Sequence, residues 1–217
     1  AQIVGHRDGI GGDRDATAQD QDLLHLRSCV QAALTDPRFA GIGEIGLDGF
    51  IPNPDWARQT QFFHQQLKIA RDFDLPVVMH VRKSQDLILK GLRLYMPQSG
   101  IAHAFNGSFQ QADHFLKLNI CLGFGGACTF TRALQIRRLA TELPQEALVL
   151  ETDGPDIPPE WINHQRNEPA HIARIAQVIA HLRGLSIDEL SRLTQGNAER
   201  ALPALAGFAA FAGMGHG

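Results

Sequence analysis

The sequence predicts an α/β fold in which a parallel sheet is covered by helices. Short apolar runs alternate along the chain with longer segments of helical periodicity, and this alternation is typical of a parallel sheet. Four of the apolar runs also end in His, Asp or Glu. Because enzymes built on parallel barrels take their site residues from the C-terminal ends of several strands, these polar residues indicate a functional site.

Six apolar runs have the length and composition of buried strands. They lie near residues 2–5, 39–47, 75–81, 100–105, 119–125 and 147–152. Helices are predicted to fill the intervals, because parallel neighbours need a crossover connection between them.

Three segments have the periodicity of amphipathic helices. They cover residues 54–73, 171–183 and 186–205. The last of them begins with Ser186 and has Glu189 three residues later, which is the spacing of a capping box. These helices are expected to lie on the outside of the sheet.

The segment 9–22 is predicted to be a loop, because it contains four Asp and three Gly with almost no apolar residue. Its Asp residues lack the regular spacing of a calcium-binding EF-hand. The length of 217 residues suits one domain, which we place at residues 1–205. The Ala- and Gly-rich residues 206–217 are predicted to be a flexible tail.

Composition excludes several functional classes. The net charge is −3, so extensive neutralisation of nucleic-acid phosphates is not indicated and such a contact would be local or metal-assisted. The three Cys residues include no C-x-x-C pair, which argues against a disulfide framework and a thiolate zinc site. Free thiols and the lack of a long apolar stretch predict a cytoplasmic protein without a membrane partner.

Four residues at strand ends are the candidate metal ligands: Glu44, His80, His103 and Asp153. A carboxylate at the end of a buried strand needs a cation or a hydrogen-bond partner, and carboxylate with imidazole is a donor set for divalent cations. Each residue also has a structural alternative. Glu44 could pair with a neighbouring cation, either His could be a core residue, and Asp153 could cap a turn.

Three further residues are candidates for substrate binding. The guanidinium of Arg82 could reach a phosphate, or form an outward ion pair. Asn106 and Ser108 follow the third of the polar strand ends, where backbone N–H groups at a helix start could receive an anion, although Ser108 could equally cap that helix. Glu151 points to the same side as Asp153, which could place it near the metals, although we expect a structural role supported by Arg or Lys.

The motifs GEIGLD, LPVVMHVR, GIAHAFNGS and LVLETDGPDIPP, followed by RNEPAHIARIA, resemble the TatD-like metal-dependent deoxyribonucleases in order and approximate spacing. This resemblance implies a TIM-type (β/α)8 barrel, a site for two divalent metal ions (Mg, Mn or Zn), and hydrolysis of phosphodiesters. It also implies that Glu44 is a bridging carboxylate, that His80 and His103 bind metal, and that Asp153 binds metal and activates water.

One part of the family pattern is missing, because the family begins with an H-x-H pair and no H-x-H occurs in this sequence. We therefore expect an incomplete barrel of about six strands that lacks roughly two β/α units at its N-terminus. Such a barrel would expose two sheet edges, which favours a homo-oligomer.

The leading hypothesis is a metal-dependent hydrolase that cleaves DNA phosphodiester bonds, with DNA or a small phosphoester as its partner. Two alternatives remain open. One is a related amidohydrolase that acts on a small amide, lactone or phosphoester, since such enzymes use similar ligands. The other is a non-catalytic remnant that has lost the first pair of metal ligands.

Overall fold

A computed structural model describes residues 19–162 and 165–207. Within these residues one sheet of five parallel strands has the order β1-β2-β3-β4-β5. The strands are β1 Ile42–Asp48, β2 Val77–Arg82, β3 Gly100–His103, β4 Ile120–Phe124 and β5 Leu148–Leu150. The predicted α/β class with a parallel sheet is confirmed, and the sixth predicted strand, at 2–5, lies outside the described residues.

Helices connect the strands, as expected for parallel neighbours. Their bounds are α1 Asp20–Ala33, α2 Trp56–Asp72, α3 Gln85–Tyr95, α4 Phe109–Leu116, α5 Leu134–Glu142, α6 Ile172–Arg183 and α7 Ile187–Ala201. Short 3-10 helices occupy Gly126–Thr129, Gln145–Ala147, Glu160–Ile162 and Pro169–His171.

The core lies between the helices and one face of the sheet. In β2 the buried residues Val77, Met79 and Val81 alternate with half-buried or exposed ones, because successive strand residues point to opposite faces. They belong to the same apolar cluster as Phe63 and Leu67 of α2. Burying a side chain of this size contributes about 1.5–3 kcal/mol, so this face holds the strands in register.

Helix α7 packs against the other face of the sheet. Ala201 of α7 forms a small apolar cluster with Cys121 and Val149. The side-chain amide of Asn197 donates to the carbonyl of Leu148 at 2.7 Å, at the start of β5. Helix α7 therefore covers this face at the N-terminal ends of the strands and leaves the C-terminal ends to the site.

The capping box predicted at the start of α7 is present. The Ser186 hydroxyl oxygen accepts the N–H of Glu189 at 3.2 Å, and the Glu189 carboxylate accepts the N–H of Ser186 at 2.8 Å. The helix ends at Ala201, four residues earlier than the predicted range 186–205.

The prediction of a loop over residues 9–22 is wrong for its last residues, because α1 begins at Asp20. The backbone N–H of Gln19 donates to the Asp22 carboxylate at 2.7 Å. Acidic residues stabilise the first turn of a helix, so the Asp residues that indicated a loop serve here as helix-start residues. Residues 9–18 lie outside the described part of the chain.

Across residues 19–162 and 165–207, none of the helices combines the length and the apolar character that crossing a membrane requires.

Candidate metal centre

The predicted ligands lie together at the C-terminal ends of four strands. The register pairs Gly46 with His80 and His80 with His103, so the two histidines stand side by side on neighbouring strands. Glu44 lies in β1 on the other side of His80, and Asp153 follows β5. The carboxyl ends of parallel strands meet at the same edge, as the sequence predicted.

Three ligand atoms converge at this edge. His80 Nδ1 lies 2.8 Å from Glu44 Oε1 and 3.2 Å from His103 Nε2, and His103 Nε2 also contacts Glu44 Oε1. The ligand atoms of the three residues lie within 4.8 Å of one another. Two imidazole nitrogens and a carboxylate oxygen at this spacing are a suitable donor set for a divalent ion, so Glu44, His80 and His103 can hold a metal.

Glu44 reaches the histidines because β1 is irregular. The register between β1 and β2 shifts between Ile42 and Ile45, and a local irregularity of this kind redirects side chains next to functional sites. Gly43 has no room for a side chain, since a Cβ there would lie 2.7 Å from Val78 Cβ. The sequence Gly43-Glu44 therefore combines close strand packing with a carboxylate directed at His80.

Both ring nitrogens of His80 face carboxylates. Nδ1 faces Glu44, and Nε2 lies 3.1 Å from Asp48 Oδ2. A ligand histidine commonly donates its second N–H to a carboxylate, which fixes the ring and its tautomer. Asp48 is not among the site residues predicted from the sequence, although its place at the end of GEIGLD is the signal that could have identified it.

Asp153 lies on the far side of His103. Its Oδ1 is 3.7 Å from His103 Nδ1, and its backbone has a φ of 59°. Asp tolerates this left-handed conformation better than most residues, and such residues cluster at functional sites. The structure thus places Asp153 beside His103, and its predicted roles as a metal ligand and in catalysis stay predictions.

Asn167 holds the segment that carries Asp153. Its buried side-chain amide donates to the carbonyls of Thr152 at 2.6 Å, Asp156 at 2.9 Å and Ile157 at 3.1 Å. Asn167 is not among the site residues predicted from the sequence. Its three carbonyl partners lie ten to fifteen residues away along the chain. Only folding brings them to one side-chain amide, so the sequence does not reveal this role.

Glu151 has a different partner from the one predicted. Its carboxylate accepts the backbone N–H of Ala104 at 2.6 Å, so the expectation of support by Arg or Lys is wrong. Gly123 of β4 makes the room, since a Cβ there would lie 1.9 Å from Glu151 Oε2. The backbone amide satisfies the carboxylate without bringing a cation into the site.

Burial and the neighbouring charges shift the pKa values of the cluster. Burial would raise the pKa of Glu44, but hydrogen bonds from His103 and His80 outweigh it and hold that pKa well below its usual range. Burial also opposes the charged form of each histidine, but the Glu44 carboxylate raises the pKa of both. Burial raises the pKa of Glu151 to about 7. Without a metal, the positive charge of the histidines is thus stabilised by Glu44.

Burial also raises the pKa of Asp153. The negative charge of Glu44 acts in the same direction, and the positive charge of His103 opposes it. A cation in the site would favour the ionised form of this carboxylate.

The predicted substrate-binding residues lie around this centre. The guanidinium of Arg82 is half exposed and 3.8 Å from Asp48 Oδ2. The Ser108 hydroxyl oxygen accepts the N–H of Gln111 at 3.1 Å, so Ser108 is the N-cap of α4. The carbonyl of Asn106 accepts a hydrogen bond from the Gln85 side chain. Contacts of these residues with a substrate stay a prediction.

A family model described as TatD related DNase matches residues 14–203. The chain belongs to this family. Among curated proteins it is 38% identical over 161 residues to the uncharacterized metal-dependent hydrolase YjjV of Escherichia coli K12, a match that covers 74% of this chain and 62% of YjjV. It is 33% identical over 171 residues to the 3'-5' ssDNA/RNA exonuclease TatD of Citrobacter rodentium, covering 76% of this chain and 65% of that protein.

The fold of this TatD-family chain also resembles a solved structure. The crystal structure of the TatD homologue YjjV from Escherichia coli K12 matches with a TM-score of 0.81 and 34% identity, over 86% of this chain and 71% of that one. The match supports the predicted barrel-type α/β architecture. The chain thus spans just under two thirds of the length of the two curated relatives described above.

Proposed function

We propose that this TatD-family chain is a divalent-metal-dependent hydrolase that cleaves phosphodiester bonds of DNA. The observation that carries the proposal is the convergence of Glu44 Oε1, His80 Nδ1 and His103 Nε2, with Asp153 Oδ1 3.7 Å from the other nitrogen of His103. Oxygen and nitrogen donors of this kind suit Mg, Mn or Zn.

A divalent ion in this site would supply Lewis-acid stabilisation of the phosphoryl group and a lower pKa for water. The chain's own residues would transfer the proton and orient the ligands. Asp153 would accept a proton from the water that attacks phosphorus. The water oxygen would bond to phosphorus while the ester bond to the sugar oxygen breaks, and the sugar oxygen would leave as a hydroxyl after taking up a proton from Asp153 or from solvent. Asp48 and Glu44 hold the ring of His80 from both sides, which keeps its ligand nitrogen directed at the centre.

The substrate that we propose is single-stranded DNA. A relative 33% identical to this chain is named a 3'-5' ssDNA/RNA exonuclease. The net charge of −3 argues against a wide basic surface, so phosphate contacts would be local. Arg82, Asn106 and Ser108 are the residues that we assign to them.

The test is cleavage of a short labelled single-stranded DNA with added Mg, Mn or Zn, together with metal analysis of the purified protein. We expect metal-dependent cleavage that is lost in Asp153→Ala and in His103→Ala. Asp113→Ala is the matched control, because Asp113 is an exposed aspartate of α4, and this variant should retain full activity.

Other outcomes would redirect the proposal. Metal-dependent hydrolysis of a small amide, lactone or phosphoester without DNA cleavage would favour a related amidohydrolase. A folded protein that binds no metal and cleaves nothing would favour a non-catalytic remnant.

We further propose a homo-oligomer. Strands β1 and β5 are the edges of the sheet formed by the described residues, and an open edge is a surface to which a second copy can add. Light scattering coupled to size exclusion tests this, and a monomer at all concentrations would contradict it.

A further inference from the structure

Two cations lie against one exposed aromatic ring beside the metal centre. The ring of Phe50 is half exposed. The guanidinium carbon of Arg82 lies 4.5 Å from its centroid, and Lys83 Nζ lies 4.1 Å from it. Both distances are within the range of cation–π attraction, so one aromatic side chain orients two positive charges.

This arrangement depends on an unusual backbone conformation. Successive residues of a strand point to opposite faces, so Arg82 and Lys83 would diverge if β2 continued regularly. Lys83 instead has a φ of 48°, a left-handed conformation that a lysine rarely adopts. The turn brings both side chains to the same ring.

The loop that carries Phe50 is fixed against this turn. The Gly49 N–H donates to the Arg82 carbonyl at 2.7 Å, and the Phe50 N–H donates to Asp48 Oδ1 at 2.7 Å. Gly49 also packs closely on Lys83, since a Cβ at Gly49 would lie 3.0 Å from Lys83 Cβ. The ring and the two cations are therefore held by short contacts.

Asp48 connects these cations to the metal centre. Its Oδ2 lies 3.8 Å from the Arg82 guanidinium and 3.1 Å from His80 Nε2. Asp48 therefore compensates part of the charge of Arg82. Within residues 19–162 and 165–207, no carboxylate lies within ion-pair distance of Lys83, which leaves the cluster with a net positive charge beside the candidate metal centre.

We propose that Phe50, Arg82 and Lys83 form a subsite for a backbone phosphate of single-stranded DNA, adjacent to the phosphate that is cleaved. Arg82 and Lys83 bind the phosphate, and Phe50 is a positioning residue that orients them. This inference rests on the proposed function, because it names how that site holds its substrate. The overall charge of the chain is negative, so these two cations would provide a local contact with the phosphate.

The first test is binding of a fluorescein-labelled single-stranded oligonucleotide with phosphorothioate linkages, measured by anisotropy in the presence of the activating metal. The linkages retain the phosphate charge and slow cleavage. We expect Lys83→Gln to weaken binding about 3- to 5-fold, as for an exposed pair of charges, and to reduce the slope of log affinity against log salt by about one.

The matched control is Lys117→Gln. Lys117 follows α4 and lies just before the start of β4, at the end of the strands opposite the metal centre. Its charge pairs with Asp113, and the variant removes one lysine charge that lies away from the proposed subsite. It should leave the affinity and the salt slope unchanged. Equal weakening by the two variants, or none by Lys83→Gln, would overturn the subsite.

Phe50→Leu tests whether the ring orients Arg82 and Lys83, because this variant leaves the charge of the protein unchanged. It keeps an apolar side chain but removes the π face, so we expect binding to weaken about 2- to 5-fold. In cleavage of DNA it should raise KM with kcat unchanged, and it should not alter hydrolysis of bis-p-nitrophenyl phosphate, which has a single phosphate. Loss of activity on both substrates would contradict a positioning role.

The subsite and the proposed function fail separately. Oligonucleotide binding that depends on Lys83, without cleavage, would retain the subsite and reject the nuclease. Cleavage that is indifferent to Phe50 and Lys83 would retain the nuclease and reject the subsite. Thermal unfolding of each variant identifies loss of folding, and Lys83→Gln changes only a surface charge.

Discussion

The Glu151 carboxylate accepts the backbone N–H of Ala104 at 2.6 Å, and this bond joins the ends of β3 and β5 across the intervening β4. Gly123 of β4 leaves the space that the carboxylate occupies. Ala104 follows His103 directly and has a φ of 46°, so the bond stabilises the turn that presents a ligand histidine. Glu151 is not a candidate ligand, but through this bond it stabilises the position of the candidate ligand His103.

Replacement of Glu151 should therefore affect metal binding. We expect Glu151→Ala to lower metal affinity about 10- to 100-fold, as for loss of a residue that supports a ligand. Glu151→Gln retains an oxygen that can accept the Ala104 N–H, so it should lose much less. Titration with Mn or Zn followed by calorimetry measures both variants, and equal losses would show that the charge and not the hydrogen bond matters.

Asp48 should support His80 in the same way. Asp48→Ala removes the acceptor of His80 Nε2 and of the Phe50 N–H, and we expect metal affinity to fall about 10- to 100-fold. Asp48→Asn keeps an oxygen for the Phe50 N–H but lacks the charge, so its loss should be intermediate. Calorimetric metal titration is again the measurement, and unchanged affinity in Asp48→Ala would contradict the role.

Asn167 should contribute to both stability and activity. Asn167→Ala leaves three carbonyls without their donor, and we expect a loss of about 1–3 kcal/mol in the free energy of unfolding and a lower kcat because Asp153 is no longer held. Asn167→Asp is the control for packing, since it has the same shape but no amide donor. Urea unfolding should show Asn167→Asp at least as unstable as Asn167→Ala; a stable Asn167→Asp would argue against the hydrogen bonds.

The metal-free protein should become less stable as the pH rises above 6.5, the ordinary pKa of histidine. The pKa values of folded His80 and His103 lie above their ordinary value of 6.5, so their contribution is complete below pH 6.5 and is lost as the pH rises through the folded values. The raised pKa of Glu151, about 7, acts with the same sign, because the folded carboxyl retains its proton where the unfolded one has lost it.

Urea unfolding in EDTA across this range measures the effect. Glu44→Gln is the matched variant, because Glu44 raises the pKa of both histidines, and its stability should vary less with pH. Added metal should reverse the trend, since metal binding requires deprotonated ligands. Metal-free stability that increases with pH would contradict the charge assignment of this cluster.

Much of the scaffold could be predicted because it depends on local patterns. Apolar runs gave five strands close to their observed places, and the polar residue at the end of each run predicted Glu44, His80 and His103 as neighbours. The capping box at Ser186 and Glu189 followed from a three-residue spacing. The prediction of a loop at residues 20–22 was wrong because it also relied on a local pattern, and Asp favours both turns and helix starts.

The sequence by itself determined which residue types stand at the strand ends, and hence the class of site and the family. Only the tertiary structure decided the partners of those residues: Ala104 for Glu151, both carboxylates for His80, and one ring for Arg82 and Lys83. These contacts join segments distant along the chain, or depend on a left-handed turn at a residue that rarely adopts it. Strand register and backbone turns fix them, and neither is contained in the local periodicity of the sequence.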